Sequence, residues 1–276
     1  MISDSYEERY CLFLDILGFQ SHIDETVKPS QDTKRAMTFQ KLRAALRSIS
    51  EGVQYKDGIE VAGEIRPTSR QVSQFSDCVV VSYLKSEPYG TGVTSILLDV
   101  HRLQLDLVRR GILLRGAISA GLLFHDKDLV FGPALNEAVA LEKLANYPRV
   151  ILDSQVLDDA GLRGSARAAS NSSPDGSISS MVAEDFDGLY YIDYINVHSQ
   201  DFGDDWSDLR EYLECLRNVV KGLANKKSPS IRVKHSWLRT KFNAMSAPLQ
   251  KANFRKLGGQ IIPDEEAELF HEVRPF

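Results

Sequence analysis

An apolar stretch near the N-terminus ends in one acidic residue, and this constrains the fold more than any other feature of the sequence. Residues 9–19 read Arg-Tyr-Cys-Leu-Phe-Leu-Asp-Ile-Leu-Gly-Phe. Residues 10–14 are strand formers without polar alternation, which predicts a strand buried on both faces. Burying a carboxylate at its end is costly unless a cation meets it, and Gly18 allows a sharp turn and close approach of a ligand. Asp15 therefore either holds a metal ion beside amides that hold phosphate or caps the following helix.

The length and composition indicate one large globular domain, or a domain with an appendage. The chain has 276 residues, 43% of them hydrophobic, and a formal net charge of −5. This acidic balance disfavours a nucleic-acid-binding surface. No apolar run reaches the roughly 20 residues needed to cross a membrane, and the acidic N-terminus does not resemble a signal peptide. The three cysteines indicate reduced thiols and hence a cytoplasmic protein.

The hydrophobic periodicity along the chain predicts an α+β fold. Strands alternate with helices in the order strand, helices, hairpin, helix, strand, hairpin, helix, strand, which favours a mainly antiparallel sheet with helices on one face. The first hairpin is expected to turn at Ser76-Asp77. The predicted helices of this part cover residues 19–27, 34–51, 93–110 and 134–146, and the predicted strands and hairpins cover residues 71–84, 112–131 and 149–152.

The same pattern predicts two parts, a catalytic core over residues 1–155 and a C-terminal extension over residues 156–276 packed on it. The extension begins with a Ser-rich segment, residues 163–180, that has hardly an apolar anchor and is expected to be a flexible loop. A strand over residues 189–197 and two helices, over residues 206–224 and 231–245, follow it.

Three motifs occur in a fixed order in these predicted elements. Asp15 ends the first strand and Asp77 lies in the hairpin turn, and paired carboxylates at such places can hold two divalent ions over one triphosphate. Leu-Asp-Ile-Leu-Gly-Phe at residues 14–19 resembles the Asp-Ile-x-Gly-Phe signature of class III nucleotide cyclases, and Phe-Ser-Asp at residues 75–77 resembles their hairpin Gly-Asp. Residues 131–138 are similar to their Gly-x-x-Val-Asn-x-Ala at the start of a late helix. The resemblance covers about residues 8–155 and implies the ferredoxin-like palm of these cyclases.

The resemblance also implies a two-metal site. Asp15, Asp77 and the main-chain carbonyl of Ile16 would hold two Mg²⁺ or Mn²⁺ ions. In this arrangement a ribose 3′-hydroxyl attacks its own α-phosphorus and pyrophosphate leaves.

Substrate contacts follow from the same resemblance. The amides from Ile16 through Leu17 and Gly18 to Phe19 would bind the β- and γ-phosphates. Asn136 would orient the ribose from the opposite subunit of a head-to-tail homodimer.

The sequence departs from the purine cyclases at three positions. A base-reading lysine is replaced by Ser73, and a base-reading aspartate by Leu129. The transition-state arginine of the family is replaced by Ala140. Arg115 is the first candidate to supply the missing positive charge, because a guanidinium in an apolar strand needs an anionic partner; a structural salt bridge is the alternative.

The metal-binding residues are thus kept while the base-reading residues are replaced. Together with Arg115-Gly116, Tyr-Pro-Arg at residues 147–149 and Lys-His-x-Trp-Leu at residues 234–238, this pattern resembles the bacterial pyrimidine cyclases of Pycsar antiphage defence. The resemblance implies a lyase that converts UTP to 3′,5′-cyclic UMP and pyrophosphate, with a product that acts on a separate effector protein. The sequence does not decide between UTP and CTP, so a cytidylate cyclase is the alternative.

Two further interpretations differ in class. A diguanylate cyclase would share the topology, but its Gly-Gly-Asp/Glu-Glu-Phe hairpin is not matched by Gln-Phe-Ser-Asp-Cys-Val. A degenerate cyclase domain that binds nucleotide and regulates a partner is favoured by the missing arginine. The retention of both carboxylates opposes it, because a dead site has no physical need for two unneutralised acids.

Overall fold

The computed structural model describes most of the chain in nine ranges. These are residues 5–28, 32–51, 59–61, 64–66, 68–87, 91–162, 177–251, 256–257 and 260–276. Most of the loop predicted over residues 163–180 lies outside the described residues. Its last four residues, Ser177–Ser180, form a short α-helix.

The chain forms two compact units. The first comprises Met1–Leu103 and Leu113–Ile192, and the second comprises Gln104–Ile112 and Asp193–Phe276. The sheet of the first unit therefore includes strands that follow residue 155.

The first unit combines a large sheet with the helices that alternate with its strands. In chain order its elements are β1 (Glu7–Ile16), α1 (Phe19–Val27), α2 (Asp32–Glu51), β2 (Ile59–Val61), β3 (Glu64–Arg66), β4 (Gln71–Phe75), β5 (Cys78–Leu84), α3 (Thr91–Arg109, whose C-terminal part belongs to the second unit), β6 (Leu114–His125), β7 (Val130–Phe131), α4 (Pro133–Leu144), β8 (Val150–Leu152), α5 (Ser154–Asp159), α6 (Ser177–Ser180), β9 (Val182–Glu184) and β10 (Tyr190–Ile192).

The main sheet has the strand order β4-β5-β1-β6-β8-β10-β9, and β7 pairs with β6. All of its pairings are antiparallel except β6 with β8, which is parallel. The α+β prediction with a mainly antiparallel sheet is therefore confirmed. β1 lies between β5 and β6, so both of its edges are hydrogen-bonded, as expected for a strand with a continuous apolar run.

Each face of β1 packs against a different part of the unit. On one face the Tyr83 hydroxyl of β5, opposite Tyr10, donates a hydrogen bond to Asp99 of α3 across 3.0 Å. On the other face Cys11 packs in a buried cluster with residues of β5, β6 and α4, namely Val80, Leu123, Ala134 and Ala138. Because strand side chains alternate between faces, Asp15 lies on the face that carries α4.

The β4–β5 hairpin turns at Ser76-Asp77, as the sequence predicts. Phe75 and Cys78 are paired, which leaves two residues in the turn. Ser76 has a φ of 58°, a conformation that costs an L-residue about 1–2 kcal/mol and favours glycine. The serine is therefore a strained substitute for glycine at this turn.

The second unit is mainly helical. It contains α7 (Trp206–Leu223), α8 (Pro229–Ser246), α9 (Asp264–Phe270), and the two-stranded pair β11 (Lys256–Leu257) and β12 (Gln260–Ile261). Both predicted C-terminal helices are confirmed. Among the described residues, no helix is both long enough and apolar enough to cross a membrane.

The strand predicted over residues 189–197 is shorter in the structure. β10 ends at Ile192, because the carboxylate of Asp193 accepts hydrogen bonds from the amides of Ile195 and Asn196, at 2.9 and 3.2 Å. An aspartate that binds amides two and three residues ahead stabilises a turn. The strand prediction is therefore wrong over residues 193–197.

Candidate active site

Asp15 and Asp77 are brought together at neighbouring strand ends. Asp15 is directly opposite Cys78 in the β1–β5 pairing, and Asp77 immediately precedes Cys78. The Ile16 amide donates a hydrogen bond to the Asp77 carbonyl across 3.3 Å. The Cys78 thiol has a raised pKa, mainly because of burial and then because of the negative charges of Asp77, Asp15 and Glu142. The negative charges of three carboxylates therefore act on the same thiol.

Arg115 lies at the centre of this acidic cluster. It is directly opposite Asp15 in the β1–β6 pairing, and its Nη2 donates to Oδ2 of Asp15 across 3.1 Å. Its Nε forms an ion pair with Oε1 of Glu142 on α4. The anionic partners expected for a guanidinium in an apolar strand are therefore Asp15 and Glu142.

Glu142 is a site residue that the sequence analysis missed. It is 5% exposed and follows the buried residues Ala134 and Ala138 at intervals of four on α4. Burial raises its pKa most, the Arg115 guanidinium opposes this rise, and the charge of Asp15 adds to it. The spacing of four places Glu142 on the sheet-facing side of α4, so an acidic residue in phase with two buried alanines was the available signal.

Some of the backbone amides predicted to bind phosphate already have partners. The Leu17 amide donates to the Leu113 carbonyl across 2.9 Å, and the Ile16 amide is used by Asp77. Gly18 has a φ of 74° and precedes the first residue of α1, Phe19. A Cβ placed on Gly18 would meet no described atom within 4 Å. The amides at this turn that remain for a ligand are therefore those of Gly18 and Phe19.

The remaining predicted contacts, Ser73, Leu129 and Asn136, lie on three other elements. Ser73 of β4 is partly buried and its hydroxyl is 3.1 Å from Nε2 of His125. Leu129 is 59% exposed in the turn between β6 and β7, where its amide donates to the carboxylate of Asp126. Asn136 lies on the exposed side of the first turn of α4.

The carboxylate pair is chemically suited to a hard divalent cation. Within the described ranges there is no group of three or more His, Cys, Asp or Glu side chains arranged to hold a metal ion. Mg²⁺, however, is commonly bound by one or two carboxylates together with waters and substrate phosphates. Asp15 and Asp77 supply such a pair, so the residues fit the metal that the sequence motifs imply.

Comparison with known proteins gives structural neighbours only. No protein-family model and no curated protein matches the sequence. The chain is similar to the adenylyl cyclase CyaB from P. aeruginosa, with 14% identity, coverage of 56% of this chain and 80% of that chain, and a TM-score of 0.37.

Two guanylyl cyclase domains are also similar. The monomeric guanylyl cyclase domain of the RhoGC fusion protein from Blastocladiella emersonii is 11% identical over 70% of this chain and 98% of that chain, with a TM-score of 0.41. The guanylate cyclase domain of RhGC from Catenaria anguillulae, in complex with GTP, is 14% identical over 57% of this chain and 84% of that chain, with a TM-score of 0.35. Because these identities and TM-scores are low, a function has to be argued from the residues of the site.

Proposed function

We propose that this chain is a nucleotide cyclase that converts UTP to 3′,5′-cyclic UMP and pyrophosphate. The observation that carries the proposal is that Asp15 and Asp77 meet at neighbouring strand ends beside the open turn at Gly18. Two carboxylates next to backbone amides suit a substrate that is itself a metal-bound triphosphate.

Asp15, Asp77 and the Ile16 carbonyl would hold two Mg²⁺ or Mn²⁺ ions. When bound, such ions lower the pKa of an attacking hydroxyl and neutralise charge on a leaving group. In the overall reaction the bond from the ribose 3′-oxygen to the α-phosphorus forms, the bond from that phosphorus to the pyrophosphate oxygen breaks, and the hydroxyl proton is released.

The residues of the chain itself would position the substrate. The amides of Gly18 and Phe19, at the N-terminus of α1, would bind the β- and γ-phosphates. Asn136 of the opposite subunit in a head-to-tail homodimer would orient the ribose, which its exposed position on α4 allows. Arg115 would supply positive charge near the α-phosphate once its ion pair with Asp15 is released.

The residues at the two base-reading positions support a pyrimidine substrate. Ser73 and Leu129 are uncharged where purine cyclases carry a lysine and an aspartate, so purine-reading charges are missing from both positions. In the proposed biological role, the cyclic pyrimidine nucleotide is a second messenger of Pycsar antiphage defence. It is made in the cytoplasm and activates a separate effector protein.

A specific observation favours a second candidate, a nucleotide-binding regulator without catalytic activity. Asp15 is paired with Arg115, and Ala140 stands where the family carries its transition-state arginine. If the Arg115 guanidinium remained bound to Asp15, it would occupy the position of a metal ion.

One experiment separates the candidates. The purified protein is incubated with each of the four nucleoside triphosphates and Mn²⁺, and the products are identified by mass spectrometry. Cyclic UMP supports the proposal, and cyclic CMP supports the cytidylate alternative. Binding of a triphosphate without turnover supports the regulator, and a dimeric purine product supports the diguanylate alternative and overturns the proposal.

A further inference from the structure

A chain of four side chains links a buried arginine to Ser73. Nε of Arg9 donates a hydrogen bond to Oγ of Ser82 across 2.9 Å. The Ser82 Oγ is 2.8 Å from Nδ1 of His125, and Nε2 of the same imidazole is 3.1 Å from Oγ of Ser73. Arg9, Ser82 and His125 are all buried. We refer to these four residues as the Arg9–Ser73 relay.

The direction of each hydrogen bond is fixed from the arginine end. A guanidinium can only donate, so Ser82 accepts from Arg9. The Ser82 side chain is completely buried, and among the described residues the other partner of its hydroxyl is Nδ1 of His125. If Nδ1 carried a proton, the buried Ser82 hydrogen would be left unpaired, at a cost of about 1–3 kcal/mol. Ser82 therefore donates to Nδ1.

The tautomer of the His125 imidazole then determines the direction of its hydrogen bond to Ser73. A neutral imidazole with an accepting Nδ1 carries its hydrogen on Nε2. The neutral form is favoured because burial and the nearby Arg9 charge lower the pKa of His125 to about 4. Nε2–H thus donates to Ser73, and the Ser73 hydroxyl hydrogen points away from His125. In the part of the chain that is described, His125 is the hydrogen-bond partner of that hydroxyl, so its hydrogen remains for a ligand.

Ser73 is on the site face of the sheet. It is opposite Val80 of β5, which in turn is opposite Phe13 of β1, and Phe13 and Asp15 share a face. On this face the partly buried hydroxyl keeps its hydrogen for a ligand.

We propose that the Arg9–Ser73 relay leaves the Ser73 hydroxyl hydrogen without an acceptor among the described residues, so that Ser73 donates to a base with a carbonyl group and selects uracil over cytosine. This inference rests on the proposed function. Uracil carries an acceptor oxygen at its 4-position, whereas cytosine carries an amino donor there. The second lone pair of Ser73 Oγ could accept from that amino group, but the Ser73 hydrogen would then have no acceptor among the described residues, which costs about 1–3 kcal/mol. His125 acts through Ser73 and is a positioning residue.

The direction of the relay can be tested without any substrate. In protein with ¹⁵N-labelled histidine, long-range ¹⁵N–¹H NMR spectra report which imidazole nitrogen carries the hydrogen. The His125 signals are identified by their loss in His125→Gln. The proposal expects the Nε2–H tautomer from pH 8 to pH 6, and the Nδ1–H tautomer would overturn it.

Selectivity is measured as the ratio of kcat/KM for UTP to that for CTP. In wild type the ratio is expected to exceed one, and in Ser73→Ala to fall about tenfold or more. Ser73→Thr, which keeps the hydroxyl, should retain the ratio. Gln74→Ala on the opposite face of the same strand is the matched control and should also retain it. An unchanged ratio in Ser73→Ala would overturn the inference and leave the cyclase proposal standing. A wild-type preference for CTP would overturn the inference and the choice of UTP, and would leave the nucleotide cyclase activity standing.

Two further measurements test whether His125 acts through Ser73 and whether Ser73 contacts the 4-position of the base. His125→Leu removes the donor to Ser73 and should lower the ratio although Ser73 is intact. His125→Gln, whose amide offers one acceptor and one donor, should keep it. When 4-thio-UTP, whose sulfur is a weak acceptor, replaces UTP, wild type should lose kcat/KM, and Ser73→Ala should lose clearly less than wild type does. An equal loss in both proteins would show that Ser73 does not contact the 4-position. If no triphosphate gives a cyclic product, the proposed function fails. The NMR measurement still tests the direction of the relay, because it needs no substrate.

Discussion

Arg115 and Asp15 face each other across β6 and β1, and Nη2 of the arginine is 3.1 Å from Oδ2 of the aspartate. The carboxylate that the proposed metal site requires is therefore held by a guanidinium, which also contacts the buried Glu142. This pairing neutralises part of the acidic cluster in the absence of metal. A metal ion at Asp15 would have to compete with Arg115, which could keep Glu142 as its partner.

Asp77→Asn should abolish turnover without unfolding the protein. Asp77 is partly buried and, among the described residues, its carboxylate makes no hydrogen bond or ion pair, so the fold should not depend on it. Loss of one carboxylate from a two-metal site, in contrast, removes several kcal/mol of transition-state stabilisation. We expect kcat to fall about a thousandfold or more. Steady-state kinetics measures this, with circular dichroism as the check of folding. Glu268→Gln, an exposed carboxylate on α9, is the control and should keep full activity; an active Asp77→Asn enzyme would refute the two-metal proposal.

Arg115 and Glu142 should be energetically coupled. Arg115→Gln leaves Glu142 buried without its cation, so the free energy of unfolding should fall by about 2 kcal/mol or more. Glu142→Gln should cost less, because Arg115 keeps Asp15. The double variant should lose less than the sum of the single losses. Urea denaturation of the four proteins measures the coupling.

The matched control for this cycle is the pair Arg110–Asp106. These residues are four apart at the C-terminal end of α3, with Arg110 one residue beyond it, and their side chains are 35% and 23% exposed. Their coupling should be at most about 0.5 kcal/mol. Additive effects for Arg115 and Glu142 would show that their contact does not contribute to stability.

Stability should fall on acidification through the range in which His125 titrates in the unfolded chain. The folded-state pKa of His125 is lowered to about 4 by burial and by Arg9, from the ordinary value of 6.5. Between these values the unfolded chain binds more protons, so stability rises with pH over this window and is lost as pH falls through it. The loss due to this group should approach about 3 kcal/mol near pH 4.

His125→Gln provides the comparison, because glutamine does not titrate. Urea denaturation at pH 7, 6, 5 and 4 should show a shallower decline for the variant than for wild type. Parallel declines would mean that His125 is not buried in its neutral form.

Gly116→Ala should destabilise the first unit strongly. Gly116 is opposite Leu14 in the β1–β6 pairing. An added Cβ would overlap the Phe13 carbonyl oxygen and come within 2.7 Å of a Leu14 methyl carbon. Forcing a methyl group into a packed sheet costs about 1–3 kcal/mol or more, which thermal unfolding would report as a lower Tm.

Gly222→Ala is the matched control. A Cβ on this glycine of α7 would meet no described atom within 4 Å. Because alanine is the better helix former, by up to about 1 kcal/mol, this substitution should leave Tm unchanged or raise it. A Gly116→Ala protein as stable as Gly222→Ala would mean that β1 and β6 are less tightly paired than the structure shows.

The sequence alone was sufficient for the local elements around the site. The apolar run before Asp15, the two-residue turn at Ser76-Asp77 and the periodic apolar residues of α3 and α4 each depend on near neighbours. Prediction was less accurate where a side chain competed for the backbone, as Asp193 does at the end of β10.

Tertiary structure decided which charged and polar groups meet. Arg115 reaches a carboxylate 100 positions away and His125 a serine 52 positions away, and such contacts follow from strand order and register rather than from local pattern. Asp15 and Asp77 could be singled out from the sequence as chemically special. The guanidinium between Asp15 and Glu142, and the proposed donor at Ser73, exist only because folding brings distant residues into a medium where unpaired charges and hydrogen-bonding groups are costly.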